Sequence, residues 1–122
     1  EYTGANNAQD DLVVIAQNGA VLRSDDAGNS TAAASNLGGV ASNGSVLVDR
    51  NGLISQRTDV DVYAFFAGAG TVQLDVSPVA LGPNLDVEAR LLDAAGNTVA
   101  VSNPVDTLGA SINANGSAAV QL

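Results

Sequence analysis

The clearest pattern along the chain is an alternation of apolar and polar positions with a period of two. Val72, Leu74 and Val76 alternate with Gln73, Asp75 and Ser77, and Leu85, Val87, Ala89 and Leu91 alternate with Asp86, Glu88 and Arg90. Successive side chains of a strand point to opposite faces, so this period predicts strands with one wet and one buried face. Shorter β-branched and apolar runs extend the set, giving expected strands at residues 12–16, 20–23, 45–48, 53–57, 60–67, 71–77, 86–93 and 98–102. Turn residues separate them. Asn18-Gly19 predicts a hairpin between the first two, and Asp49-Arg50-Asn51-Gly52 predicts a turn between the next two. Gly68, Gly70, Gly82-Pro83 and Gly96 punctuate the rest. Short strands with turns roughly every eight to twelve residues predict an all-β fold, an antiparallel β-sandwich of jelly-roll-like kind. Residues 31–37 alone have modest helical preference, and their shortness predicts one turn of helix or a loop.

Two boundaries stand out. Residues 1–24 read as a hairpin-bearing lead-in, residues 25–29 as the hinge, and residues 25–122 as the main module. At the far end, residues 118–122 enter a new alternating strand and stop, so the sandwich is expected to lack its last hairpin. An unpaired edge is a template for another strand. Strand donation at residues 118–122 is therefore expected, from a separate fragment of the same precursor or a neighbouring copy, unless residues 12–23 fold back to cover the edge.

A chain of 122 residues suits one domain, and size scaling leaves about 6,000 Å² exposed out of roughly 17,500 Å² in the unfolded chain. The chain contains no Cys and no His. That excludes a Ser-His-Asp triad, a Cys-His dyad and the usual zinc sites. Lysine is also absent, and no Ser sits in a G-x-S-x-G elbow, so an enzyme in its own right has almost no support. Thirteen acidic residues against four arginines give a net charge of −9. Such a surface repels nucleic acid and anionic lipid and attracts divalent cations, for which Asp and Asn oxygens are the hard ligands calcium takes. No apolar run approaches the ~20 residues that span a bilayer. The opening Glu1-Tyr2-Thr3-Gly4 is not a basic-then-apolar signal peptide, and reads as a cut from a processed precursor.

The best metal candidates are Asp25, Asp26 and Asn29, three oxygen-bearing side chains within five residues, with Gly28 allowing a sharp turn. The plainer alternative is an Asx-turn, in which these side chains bond nearby backbone N–H groups. Asp59 and Asp61 lie two apart on an expected strand, point the same way, and can meet one cation, the ion of the Asp25 loop included; otherwise they are a solvated strand start. A glycosidase pair would need an aromatic-rich sugar cleft, and four aromatic residues do not supply one. Tyr63 and Phe65 are expected in the core, with an exposed aromatic platform as the alternative. Asn29-Ser30-Thr31, Asn43-Gly44-Ser45 and Asn115-Gly116-Ser117 fit the N-glycosylation pattern and mark exposed loops.

Several motifs recur together: Asp25-Asp26-Ala27-Gly28-Asn29 with Ala33 and Leu37, then Gly52-Leu53-Ile54, Asp59-Val60-Asp61-Val62-Tyr63-Ala64-Phe65, Asn84-Leu85-Asp86, and Leu92-Asp93-Ala94-Ala95-Gly96-Asn97. In this combination residues 25–122 resemble the bacterial pre-peptidase C-terminal domain, an accessory module of secreted proteases. In that family an acidic/Asn loop at the start of the module binds calcium, and Asp25, Asp26 and Asn29 match it. Glu1-Tyr2, Asn6-Asn7 and Asp10-Asp11-Leu12 resemble the run after the zinc catalytic domain of reprolysin-like metzincin proteases. The chain departs from the family in lacking the final Tyr- or Phe-rich hairpin. The resemblance implies a secreted, calcium-stabilised, non-catalytic accessory domain whose partner is an upstream catalytic domain. Its roles would be spacing, assistance in folding or secretion, and weak contact with an extracellular polymer. A stand-alone extracellular binding or adhesion module is the alternative.

Overall fold

The computed structural model describes residues 10–116 together with 120 and 121. The lead-in begins with a helix, not a hairpin: α1 spans Asp11–Gln17. Asp10 caps it, its carboxylate accepting the Leu12 N–H at 3.0 Å. At the other end Asn18 is the C-cap, Gly19 follows at φ 103°, and the Ala20 N–H reaches back to the Ile15 carbonyl at 3.3 Å. Asn-Gly thus serves as a helix stop, where a left-handed glycine suits as well as in a hairpin. Residues 20–23 form no strand.

A 3₁₀ turn at Thr31–Ala33 leads into β1 (Ser35–Asn36). A hairpin follows, β2 (Val40–Ser42) and β3 (Ser45–Leu47), joined by Asn43-Gly44 with φ of 48° and 81°. Positive φ at both central residues matches the right-handed strand twist, which is why Asn-Gly closes it. The remaining strands are β4 (Tyr63–Phe65), β5 (Gly70–Val76), β6 (Ala89–Leu92), β7 (Thr98–Ser102), β8 (Ala110–Gly116) and β9 (Val120–Gln121). The strand expected at 53–57 is absent. Its N–H groups go to carboxylates instead, Leu53 to Asp26 and Ser55 to Asp59.

One sheet has the order β1-β4-β9-β6-β7, with β1 and β4 parallel and the other pairs antiparallel. The pair β5-β8 forms a separate antiparallel ladder, running from Gly70 opposite Gly116 to Val76 opposite Ala110. Both are joined by one apolar cluster. Ala89 and Leu91 of β6 meet Ala110 and Ile112 of β8, with Phe65, Val72, Leu74, Val76 and Val87 packed around them. This is an all-β fold. Strand β9 lies between β4 and β6, with Gln121 opposite Ala64 on one side and Leu92 on the other, so it sits inside the sheet rather than on the open edge expected of 118–122. Residues 118, 119 and 122 lie outside the described set.

Tyr63 departs from the expected core set. Its half-buried ring lies under the Arg50 guanidinium, 6.0 Å from the ring centre, and its hydroxyl faces Asp61. Burial is also thin, with Ala27, Val62, Ala89, Leu91, Ala110 and Ile112 the buried apolar side chains among the described residues. Many small side chains fill the strands, and Val21, Leu81 and Val105 stay largely exposed. Leu91, 1% exposed, carries the centre of the core. Leu91→Ala is expected to cost about 2–5 kcal/mol in urea unfolding, as buried leucine truncations do. Gln73→Ala on the wet face of β5 should stay within about 0.5 kcal/mol. Equal effects at the two positions would contradict the observed register.

Candidate metal centre

The first half of the centre is the turn after the lead-in. Asp25 bonds its own loop, accepting the Ala27 N–H and the Asn29 side-chain amide, each at 3.1 Å. The Asx-turn is therefore present, but it is only part of the arrangement. Asn29 Oδ1 accepts the Val60 N–H at 2.8 Å, and Asp26 Oδ1 accepts the Leu53 N–H at 2.8 Å. The Gly28 carbonyl accepts the Val62 N–H at 3.0 Å in an isolated antiparallel bridge. A side chain at Gly28 would overlap the Ala33 carbonyl, so only glycine lets the loop close here. Ala27 and Val62 are buried on either side of the bridge.

The second half is the approach to β4. Asp59 is 9% exposed, and its Oδ2 accepts the Ser55 N–H at 2.6 Å. Its Oδ1 is buried with no hydrogen-bond partner, and so is Oδ1 of Asp61. The other oxygen of Asp61 receives only a long contact from the Tyr63 hydroxyl, at 3.4 Å. Asp25, Asp59 and Asp61 each present a carboxylate oxygen, and the three lie within 4.8 Å of one another. Glycine at position 52 keeps the edge of the centre open, since a Cβ there would sit 2.7 Å from the Tyr63 hydroxyl and 3.0 Å from Asp61 Oδ2.

The electrostatics follow from this crowding. Burial pushes the Asp61 carboxyl above the ordinary carboxylate range, and the charges of Asp26, Asp59 and Asp25 push the same way against the Tyr63 hydrogen bond. The Tyr63 hydroxyl is also raised, by burial and then by Asp61 and Asp26, so it remains a proton donor. No salt bridge reaches the centre among the described residues. Asp93 shows what a carboxylate satisfied by the protein looks like. It accepts from the Ala95 and Asn97 backbone and from the Asn97 amide, and its pKa is lowered, the Asn97 side-chain hydrogen bond being the largest cause.

The five candidate residues thus divide. Asp25, Asp59 and Asp61 converge and can hold a cation, whereas the named bonds of Asp26 and Asn29 pin the loop to residues 53 and 60. Oxygen-only ligands select hard cations over zinc or copper. The part of residues 53–55 as N–H donors was not legible in sequence, because nothing in Leu53-Ile54-Ser55 marks a backbone turned towards acid. No protein-family model, curated protein or solved structure matches the chain.

A carboxyl with a raised folded pKa contributes stability below its unfolded value and loses it as pH rises through the folded value. In chelator, the protein is therefore expected to lose stability as pH rises from about 4 and through the raised range of Asp61. Asp61→Asn should remove this part of the slope. Urea unfolding in EDTA across that range measures both, and parallel profiles for the two proteins would contradict the raised Asp61 carboxyl described here.

Proposed function

We propose that the chain is a non-catalytic, calcium-stabilised accessory domain of a secreted metalloprotease. The observation that carries the cation is the Asp59 carboxylate, nine-tenths buried, with one oxygen unpartnered and with carboxylate oxygens of Asp25 and Asp61 gathered within 4.8 Å. A buried charged oxygen without a donor costs several kcal/mol, and a cation removes that cost. Calcium suits the set because it accepts six to eight oxygens in adaptable geometry, and half-exposed Asp61 and exposed Asp25 leave room for water ligands. The ion would tie residue 25 to residues 59–61, holding the start of the module onto β4. Membership of a protease is supported by the motif combination from Asp25 to Asn97. It is also supported by the apolar Leu12, Val13 and Ile15 of α1, which stay about half exposed and suit packing on another part of the same precursor.

Calcium at a hundredfold excess over Kd should stabilise the native state by about 2.7 kcal/mol, roughly a 10 °C rise in melting temperature. Melting in EDTA and in millimolar calcium measures this, with magnesium as the comparison. Asp59→Asn should abolish the shift. Superimposed wild-type curves would remove calcium from the reading.

A further inference from the structure

We infer that the carboxylate centre is also a clasp that shields one peptide bond, Arg23–Ser24, from arginine-specific endopeptidases. The cation would then decide whether the lead-in stays joined to the β-fold. This inference rests on the cation site proposed above.

Arg23 is the first of the chain's four basic residues. It lies in residues 20–26, which are exposed and have no regular structure. Nothing before Ala27 is buried among the described residues, α1 included. The hydrogen bond that crosses from this stretch to the fold is the one Asp26 accepts from Leu53. The lead-in is therefore held by the loop that forms half of the metal centre.

An endopeptidase must draw several residues on each side of the scissile bond into an extended conformation. Beyond Arg23–Ser24 those residues are Ser24, Asp25, Asp26 and Ala27. Asp25 is bent into its Asx-turn, Asp26 is tied to Leu53, and Ala27 is buried. Cleavage thus requires the clasp to open first. A cation bridging Asp25 to Asp59 and Asp61 makes that opening rarer, and when opening is fast the cleavage rate follows the open population. The reaction is ordinary amide hydrolysis. Water adds across the bond, Arg23 leaves with a carboxylate, Ser24 gains an amine, and the endopeptidase is regenerated.

The test is limited trypsin digestion of the full chain in calcium and in EDTA, with first-cut products read by intact mass so that cuts at the exposed Arg50 and Arg57 are scored apart from Arg23, and calcium binding measured by calorimetry on the same sample. Calcium at a hundredfold excess over Kd should slow the Arg23–Ser24 cut by about a hundredfold. The cut at Arg90, inside a strand paired to β7, reports whole-chain unfolding and should stay slow in both conditions. Asp25→Asn, an exposed position, should make the Arg23 cut fast even in calcium while Arg90 stays protected. Arg23→Gln should abolish the cut and keep calcium binding. Calcium binding with an unchanged Arg23 cut would overturn the clasp and leave the metal site standing. Absence of calcium binding would overturn both.

Discussion

Three carboxylates brought together with no salt-bridge partner among the described residues form the constraint on which this molecule turns. Like charges at this separation repel by on the order of 1–3 kcal/mol per pair, between the limits of water and protein surface. The fold accepts that repulsion because backbone N–H groups of Ala27, Leu53, Ser55 and Val60 point at the acidic and amide oxygens around it. Those donors set the positions of the side chains but leave one buried oxygen on Asp59 and one on Asp61 unanswered.

Strand β4 connects this polar end to the apolar one. Asp61 and Val62 lead into it at the centre, and it carries Tyr63 against Asp61 and Phe65 against the Leu91–Ile112 cluster. It also pairs with β1 on one side and β9 on the other. Neutralising the carboxylates therefore acts on a strand that the core already holds, and on a loop at residues 25–29 already bonded to residues 53, 60 and 62.

The alternation at 71–77 and 85–91 was legible because one face of β5 and β6 does pack on the core, as Leu74 and Leu91 show. Strand β8 was not legible. Its residues Ala-Ser-Ile-Asn-Ala-Asn-Gly bury only small side chains apart from Ile112, so the periodic signal is faint. The lead-in was misread because Asn18-Gly19 fits two structures, and the Asp10 cap that decides between them is a single side chain. Asn43-Gly44, by contrast, carried a hairpin signal that the glycosylation pattern obscured. At the candidate metal centre, sequence brought out Asp25, Asp26, Asn29, Asp59 and Asp61 together, without separating the three that converge. Which acid would be tied up by backbone donors depended on where residues 53–60 run, and that is a property of the fold.

The thin burial of apolar side chains among the described residues has a thermodynamic corollary. Heat-capacity change and denaturant sensitivity both scale with the area uncovered on unfolding. A fold that leaves large apolar side chains such as Val21, Leu81 and Val105 exposed uncovers less apolar area on unfolding than one that buries them. Its stability curve should therefore be shallow against temperature and its denaturation broad.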